Sequence, residues 1–199
     1  MLCPSGRLSS RPGGRGHHIT AFTRRLEALP TPSTLAAVIS GDGLDPKAVR
    51  QAIAGADAII AIIAASTRKG PHQSAAVSRV ITEAMSDLGV RRLVITSAYP
   101  LVADKPRIPV ALLRLLLAET YTDASKMEQI VSASDLDWTI VRLNRLTDRP
   151  VQDEVRTSRV LFDKPSAMTR LSAAATLLDI VEDDTTVRTA INTAGPTKR

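Results

Sequence analysis

Short apolar runs alternate with amphipathic stretches along most of this chain. The clearest run, Asp57 to Ala64 (DAIIAIIA), is almost continuously apolar and is bounded by turn residues. That pattern predicts a strand buried on both faces, as in a parallel sheet covered by helices. Further strands are predicted at His17 to Thr23 (HHITAFT), Leu35 to Ser40 (LAAVIS), Arg91 to Ser97 (RRLVITS), Trp138 to Arg142, and Val187 to Thr193. Helices are predicted between them. Asp45 can cap a helix and Pro46 suits its first turn, so a helix starts there, carries Val49, Ala52 and Ile53 on one face, and ends at Gly55. A second runs from Ser74 to Leu88 and closes at Gly89. Residues 107–134 are largely helical with an interruption near Thr120-Tyr121, and Met168 to Glu182 is amphipathic. Strands that alternate with helices call for an α/β fold, a doubly wound and mostly parallel sheet with right-handed connections.

Size and composition fit one soluble domain. The 199 residues are 44% apolar and 23% charged, and with only 3% aromatics the core must be built from Ala, Val, Ile and Leu. The longest apolar run, Ala58 to Ala65, is far too short to span a bilayer, so no membrane partner is expected. A net charge of +6 raises the question of nucleic acid, but five of the arginines (Arg7, Arg11, Arg15, Arg24 and Arg25) sit in residues 1–25, which hold no acid. The rest of the chain is nearly balanced, which argues against a nucleic-acid groove. Cys3 is the single cysteine, so no intrachain disulfide forms and no metal framework is visible. His17, His18 and His72 are too dispersed for a metal site. The basic head lacks an apolar core segment, which argues against a secretory signal and leaves a cytoplasmic location by default. The expected partner is a small molecule, and a monomer is favoured.

Residues 1–16 are rich in Gly, Ser, Pro and Arg without periodicity, and read as a disordered or degenerate head before a single domain at 17–199. A dinucleotide-binding fold needs a Gly-rich turn between its first strand and first helix, so that backbone approaches the pyrophosphate. Gly6, Gly13, Gly14 and Gly16 have the wrong spacing, no apolar strand precedes them, and Pro12 sits where a helix should continue. In the usual order 3-2-1-4-5-6 the first strand is central, and its loss would leave two unpaired edges inside the domain. Three explanations stand: a truncated or misread start, a relative that no longer binds nucleotide, or a head that fills the gap unconventionally. The first two are favoured, because the head shows neither strand nor helix patterning.

Ser134 to Asp148 (SDLDWTIVRLNRLTD) resembles the "S-x-L-D-W-T-I-V-R-P" segment of the atypical short-chain dehydrogenases, the NAD(P)H-binding group with the NmrA-like proteins and biliverdin/flavin reductases. The likeness extends over about residues 16–195, strongest at 16–24, 41–60, 91–98 and 121–148. It implies a Rossmann-like domain that lacks a recognisable first βα unit. It also implies NADP as cofactor, with NAD possible, and hydride transfer to a flavin, quinone or tetrapyrrole-like acceptor. The alternatives are a non-catalytic dinucleotide sensor of NmrA type and a truncated pseudoenzyme that binds no nucleotide.

The resemblance assigns roles residue by residue. Arg24 and Arg25 stand where an arginine meets the 2′-phosphate of NADP, or else are solvated surface groups. Asp42 and Gly43 match the turn that approaches adenine, although a turn and helix cap is the simpler function of Gly41 to Asp45. Ala64 and Ala65 fall in the loop that lines the cofactor, without the family's glycine. Ser97, in Thr96-Ser97-Ala98, matches the strand end whose hydroxyl can bond the nicotinamide amide or a substrate carbonyl, and is the catalytic candidate. Tyr121 and Lys126 are five apart, so they do not form the Tyr-x-x-x-Lys pair of ordinary short-chain dehydrogenases; a packed tyrosine and a solvated lysine are expected. Leu143 replaces the family's proline beneath the nicotinamide, and Asn144 follows it into the loop.

Overall fold

The computed structural model describes residues 2–3, 16–28, 35–63, 72–103, 112, 115–148 and 155–197. Its strands are β1 (Leu2–Cys3), β2 (Ile19–Thr23), β3 (Leu35–Ser40), β4 (Ala58–Ala61), β5 (Arg92–Ala98), β6 (Asp137–Leu143), β7 (Leu146–Thr147), β8 (Arg156–Ser158), β9 (Met168–Thr169) and β10 (Thr189–Ala194). The α-helices are α1 (Pro46–Ile53), α2 (Ser74–Leu88), α3 (Ala118–Ser132) and α4 (Arg170–Glu182). One sheet runs β3-β2-β1-β4-β5-β6-β10-β8, and β7 pairs with β9 separately. The pairs β2/β3, β4/β5, β5/β6 and β6/β10 are parallel, and β8 is antiparallel to β10.

Period-two alternation in the central strands builds two cores. Ile59, Ala61, Leu93, Ile95 and Ile140 point to one side, against Val49 and Ile53 of α1, Ile81 and Met85 of α2, and Met127 and Val131 of α3. Ala58, Ile60, Val94, Val141 and Ile191 point to the other, against Leu177, Ile180 and Val181 of α4. Burial on both faces is why Ala58 to Ala61 are apolar at every position rather than at alternate ones; the strand ends there, and Ile62 beyond it is exposed.

The gap in the centre of the sheet is filled. Leu2↔Ala21 and Cys3↔Thr20 pair β1 with β2, and Leu2↔Ile60 pairs it with β4, all antiparallel. The expectation that the head adds no strand is therefore corrected for these two residues. Main-chain pairing engages Thr20 and Ala21 of β2 and Ile60 of β4 whatever the side chains, and a two-residue strand is too short to show a period. Its direction is the reverse of its neighbours, so Cys3 lies toward the amino end of the sheet, where Gly16 leads into β2. Residues 4–15 lie outside the described residues.

Local chemistry accounts for the start of α1, the end of α2 and the start of α4. The Asp45 carboxylate accepts the Lys47 N–H at 2.9 Å to cap α1. At the far end of α2, Gly89 takes a left-handed φ of 70°, where a side chain would be strained. The start of α2 has no cap from its own sequence neighbourhood. Instead Asp123 reaches across from α3 and accepts the Ser74 and Ala75 N–H groups at 2.7 and 3.2 Å. The helical stretch is interrupted at Leu117, three residues ahead of the expected Thr120-Tyr121, and α3 then runs unbroken through the buried Tyr121. Met168 and Thr169 leave the predicted helix to pair with β7, and the Thr169 hydroxyl caps α4 by accepting the Ser172 N–H at 3.1 Å. No described helix is long and apolar enough to cross a membrane.

Arg92 ties the opposite, amino end of the sheet together. Its guanidinium donates to the Ile180 and Val181 carbonyls at the end of α4, to the Asp137 carbonyl, and to the Thr139 and Thr186 hydroxyls. Burial pulls its pKa below the ordinary arginine value, opposed by the nearby Asp184 and Asp137 charges.

Candidate functional site

Parallel strands that end side by side leave a crevice at their carboxyl edge, where ligands of open α/β sheets bind. Arg24 and Arg25 follow β2 there, and Gly41 to Asp45 follow β3. The Gly41 N–H donates to the Thr23 carbonyl at 3.1 Å and locks the two strand ends together. Asp42 accepts the Leu44 N–H at 3.0 Å through Oδ1, and its Oδ2 lies 3.9 Å from Arg24 Nη1, both side chains being about half exposed. The structure therefore brings Arg24 and Asp42 together, with exposed Arg25 beside them.

Gly43 has a packing reason of its own. A Cβ there would sit 2.9 Å from Val77 Cγ1 of α2, and one on Gly41 would sit 2.6 Å from the Phe22 ring. Close approach of helix and ring to the turn demands small residues whether or not adenine binds. Ala64 and Ala65 lie outside the described residues.

Ser97 lies near the end of β5, on the α1–α3 side by alternation with Ile95. Its Oγ is buried without a hydrogen-bond partner among the described residues. Such orphaned hydroxyls are uncommon and call for a ligand, a water or a functional reason. Directly beside it in register is Arg142 of β6. Arg142 is spoken for: Nε and Nη2 donate to the two Glu128 oxygens of α3 at 3.0 and 2.7 Å, with side chains 18% and 13% exposed.

Leu143 and Asn144 are engaged by the protein. Leu143, last in β6, packs against the α4-side core. Asn144 donates from Nδ2 to the Ser166 carbonyl at 2.9 Å and holds the segment ahead of β9. Tyr121 is buried and Lys126 exposed, in keeping with a packed tyrosine and a solvated lysine. His17 Nε2 meets Glu182 Oε1 at 2.5 Å and His72 Nε2 lies 3.6 Å from Glu119 Oε2. Among the described residues, no cluster of three His, Cys, Asp or Glu could hold a metal.

Sequence reasoning missed the clamp beside β5. Tyr99, 2% exposed, accepts the Phe162 N–H at 2.8 Å and donates to its carbonyl at 3.1 Å. Arg156 lies 4.9 Å over the Phe162 ring and donates to the Gly195 and Lys164 carbonyls. These partners are far apart in sequence, and no local pattern announces them. Two hollows among the described residues lie away from this edge: about 750 Å3 between α4, β8 and β10, and about 540 Å3 at the amino end beside Arg91 and Asp137.

A central parallel sheet with helices on both sides, and polar strand ends gathered at its carboxyl edge, define a Rossmann-like α/β domain of the dinucleotide-binding class. Residues 8–184 match the NAD(P)H-binding family, and the chain belongs to it. No curated protein matches. Among solved structures it is similar to a wide-type short-chain dehydrogenase/reductase from Veillonella parvula in complex with NADP, at 21% identity and TM-score 0.73, over 89% of this chain and 82% of that one. It is similar to the oxidoreductase YlbE from Lactococcus lactis (18%, TM-score 0.73, 90% and 80% covered) and to ChuY, an anaerobilin reductase from Escherichia coli (15%, TM-score 0.70, 90% and 85%). At these identities the likeness is one of fold.

The residues present fit a nicotinamide dinucleotide at two points. The orphaned Ser97 Oγ suits the nicotinamide end, and the Arg24–Asp42 pair suits the adenosine end.

Proposed function

We propose that the protein is an NADPH-dependent oxidoreductase of the cytoplasm that reduces a flavin, quinone or tetrapyrrole-like acceptor. The observation that carries this reading is the Ser97 hydroxyl, buried and without a partner among the described residues, at the end of a central strand in an NAD(P)H-binding chain. Arg24 and Arg25 would hold the 2′-phosphate, Asp42 and the Gly43 amide the adenine side, and Ser97 the nicotinamide amide or the acceptor carbonyl. Ala64, Ala65, Leu143 and Asn144 would line the loops between. When bound, the cofactor supplies the hydride. The Ser97 O–H orients and polarises an acceptor oxygen by hydrogen bonding, and water supplies the balancing proton, since Tyr121 and Lys126 form no proton-transfer pair. That missing pair also favours a second reading, a non-catalytic dinucleotide sensor.

An acceptor panel of flavins, quinones and linear tetrapyrroles, assayed with NADPH, separates the two. Turnover with one class, lowered about ten- to a hundredfold by Ser97→Ala while NADPH affinity stays within about twofold, supports the oxidoreductase. NADPH binding with no acceptor reduced rejects it in favour of the sensor.

A further inference from the structure

We propose that His72 feeds in the proton that balances hydride transfer, through a buried row of polar side chains leading from Glu119 at the surface past Ser78 to Ser97. The proposal rests on the oxidoreductase reading above and adds the path by which a solvent proton reaches the acceptor.

Orphaned polar atoms mark the row. Among the described residues, six buried side-chain nitrogens and oxygens have no hydrogen-bond partner, and four of them belong to His72 (Nδ1 and Nε2), Ser78 and Ser97. A buried group left unpaired costs free energy, and a serine within a helix can usually bond a carbonyl of the preceding turn. Their concentration in one part of the fold points to a shared occupant, either ordered water or a polar ligand group.

The topology places the three residues together. Helix α2 descends from the carboxyl edge with Ser78, Ile81, Thr82 and Met85 buried on one face. Ile81 and Met85 share a core with Ile95 of β5. One helical turn nearer the carboxyl edge, that face offers Ser78. Two residues beyond Ile95 on the same side of the strand stands Ser97, and each of these steps climbs about 5–7 Å. A polar layer therefore follows the apolar one. His72 lies just ahead of α2, at the same edge and on the same side of the sheet. Helix α3 packs against α2 and against the turn Tyr99–Leu101 that lies just beyond Ser97.

His72 can join this layer to solvent. Its side chain is 10% exposed, and its Nε2 lies 3.6 Å from Oε2 of Glu119, whose side chain is 86% exposed. Asp123, the other acid at this helix start, already holds the Ser74 and Ala75 N–H groups. An exposed carboxylate exchanges protons with water, and an imidazole can accept a proton on one ring nitrogen and release one from the other. The proton count closes. An acceptor that gains a hydride becomes an anion and takes up one proton. Ser97 donates it and is refilled along the row from His72, which takes its own proton from water beside Glu119. His72 thus acts on the acceptor through Ser97, as a positioning residue for the proton.

Two measurements on the full chain test this. The first needs no turnover: the histidine ring signals are followed by heteronuclear NMR as NADP+ is added. Saturation should shift the His72 signals and leave those of His17, at the amino edge, in place. The second compares His72→Gln with the parent, using whichever acceptor the panel above identifies. The kcat should fall about tenfold or more while NADPH affinity stays within about twofold. Deuterated NADPH should then slow the variant less than it slows the parent, and heavy water should slow it more, because proton supply has become the slower step. A purely structural loss would misplace the nicotinamide and leave the deuterated-NADPH effect at full size. Ser78→Ala should act in the same direction as His72→Gln. His72 signals that ignore bound NADP+ would overturn the proposal, as would a His72→Gln kcat within about twofold of the parent. Absence of NADP+ binding, or of turnover with any acceptor, overturns the cofactor or oxidoreductase reading itself, so the failures are distinct.

Discussion

Arg92→Met should lower the stability of the domain by about 3–4 kcal/mol, the loss expected when several charge-assisted bonds go together and not additively. The guanidinium serves three elements at once: the last carbonyls of α4, the start of β6, and the Thr139 and Thr186 hydroxyls. Methionine fills part of the volume but removes the guanidinium donor from the Val181 and Asp137 carbonyls, while the Ile180 carbonyl keeps the Asp183 N–H and the Thr186 hydroxyl. For a domain of this size the melting temperature should fall by roughly 6–16 °C, read by circular dichroism. Arg92→Lys keeps the charge but not the planar fork, so it should recover only part of the loss. A Met variant within about a degree of the parent would show that water replaces the guanidinium at no cost.

Glu128→Gln should cost about 2–4 kcal/mol, because it leaves the largely buried Arg142 charge without its carboxylate. Paired replacement, Glu128→Leu with Arg142→Met, should restore most of that loss, since a buried ion pair is weakly stabilising as a unit even when breaking it is expensive. The double-mutant cycle by chemical denaturation reads the coupling directly. Additive losses would mean that the two side chains do not depend on each other, contrary to their bidentate geometry. The site is involved too. Arg142 sits beside Ser97 in register, so the pair fixes the wall next to the orphaned hydroxyl.

Local patterns carried much of the fold. Leu35–Ser40 and Ser74–Leu88 match their predicted bounds to the residue, because apolar periodicity and a terminal glycine are properties of consecutive positions. What escaped the sequence depends on partners brought together only by folding. Asp123 caps a helix 49 residues away, Tyr99 clamps a loop 63 residues away, and Arg92 meets groups 45 to 94 positions distant. The helix predicted from Met168 loses its first two residues to pairing with β7 for the same reason. The two residues of β1 escaped because strand pairing there is a main-chain affair.

Legibility of the site divides along similar lines. The motif resemblance marked Arg24 and Asp42, and the structure adds that they meet at 3.9 Å. Ser97 was marked by its place at a strand end, and only the structure could reveal that its hydroxyl is buried and unsatisfied. Gly43, in contrast, has a sufficient reason in the close approach of Val77.

The central claim is that the carboxyl edge of this sheet holds a nicotinamide dinucleotide, even though its first strand is short and reversed. Titration of the full chain with NADPH, followed by nicotinamide fluorescence, tests that claim most directly. The account predicts saturable binding with an enhanced signal, weakened by Arg24→Gln. No binding at millimolar NADPH, from a chain whose circular dichroism shows the folded α/β domain, would contradict it.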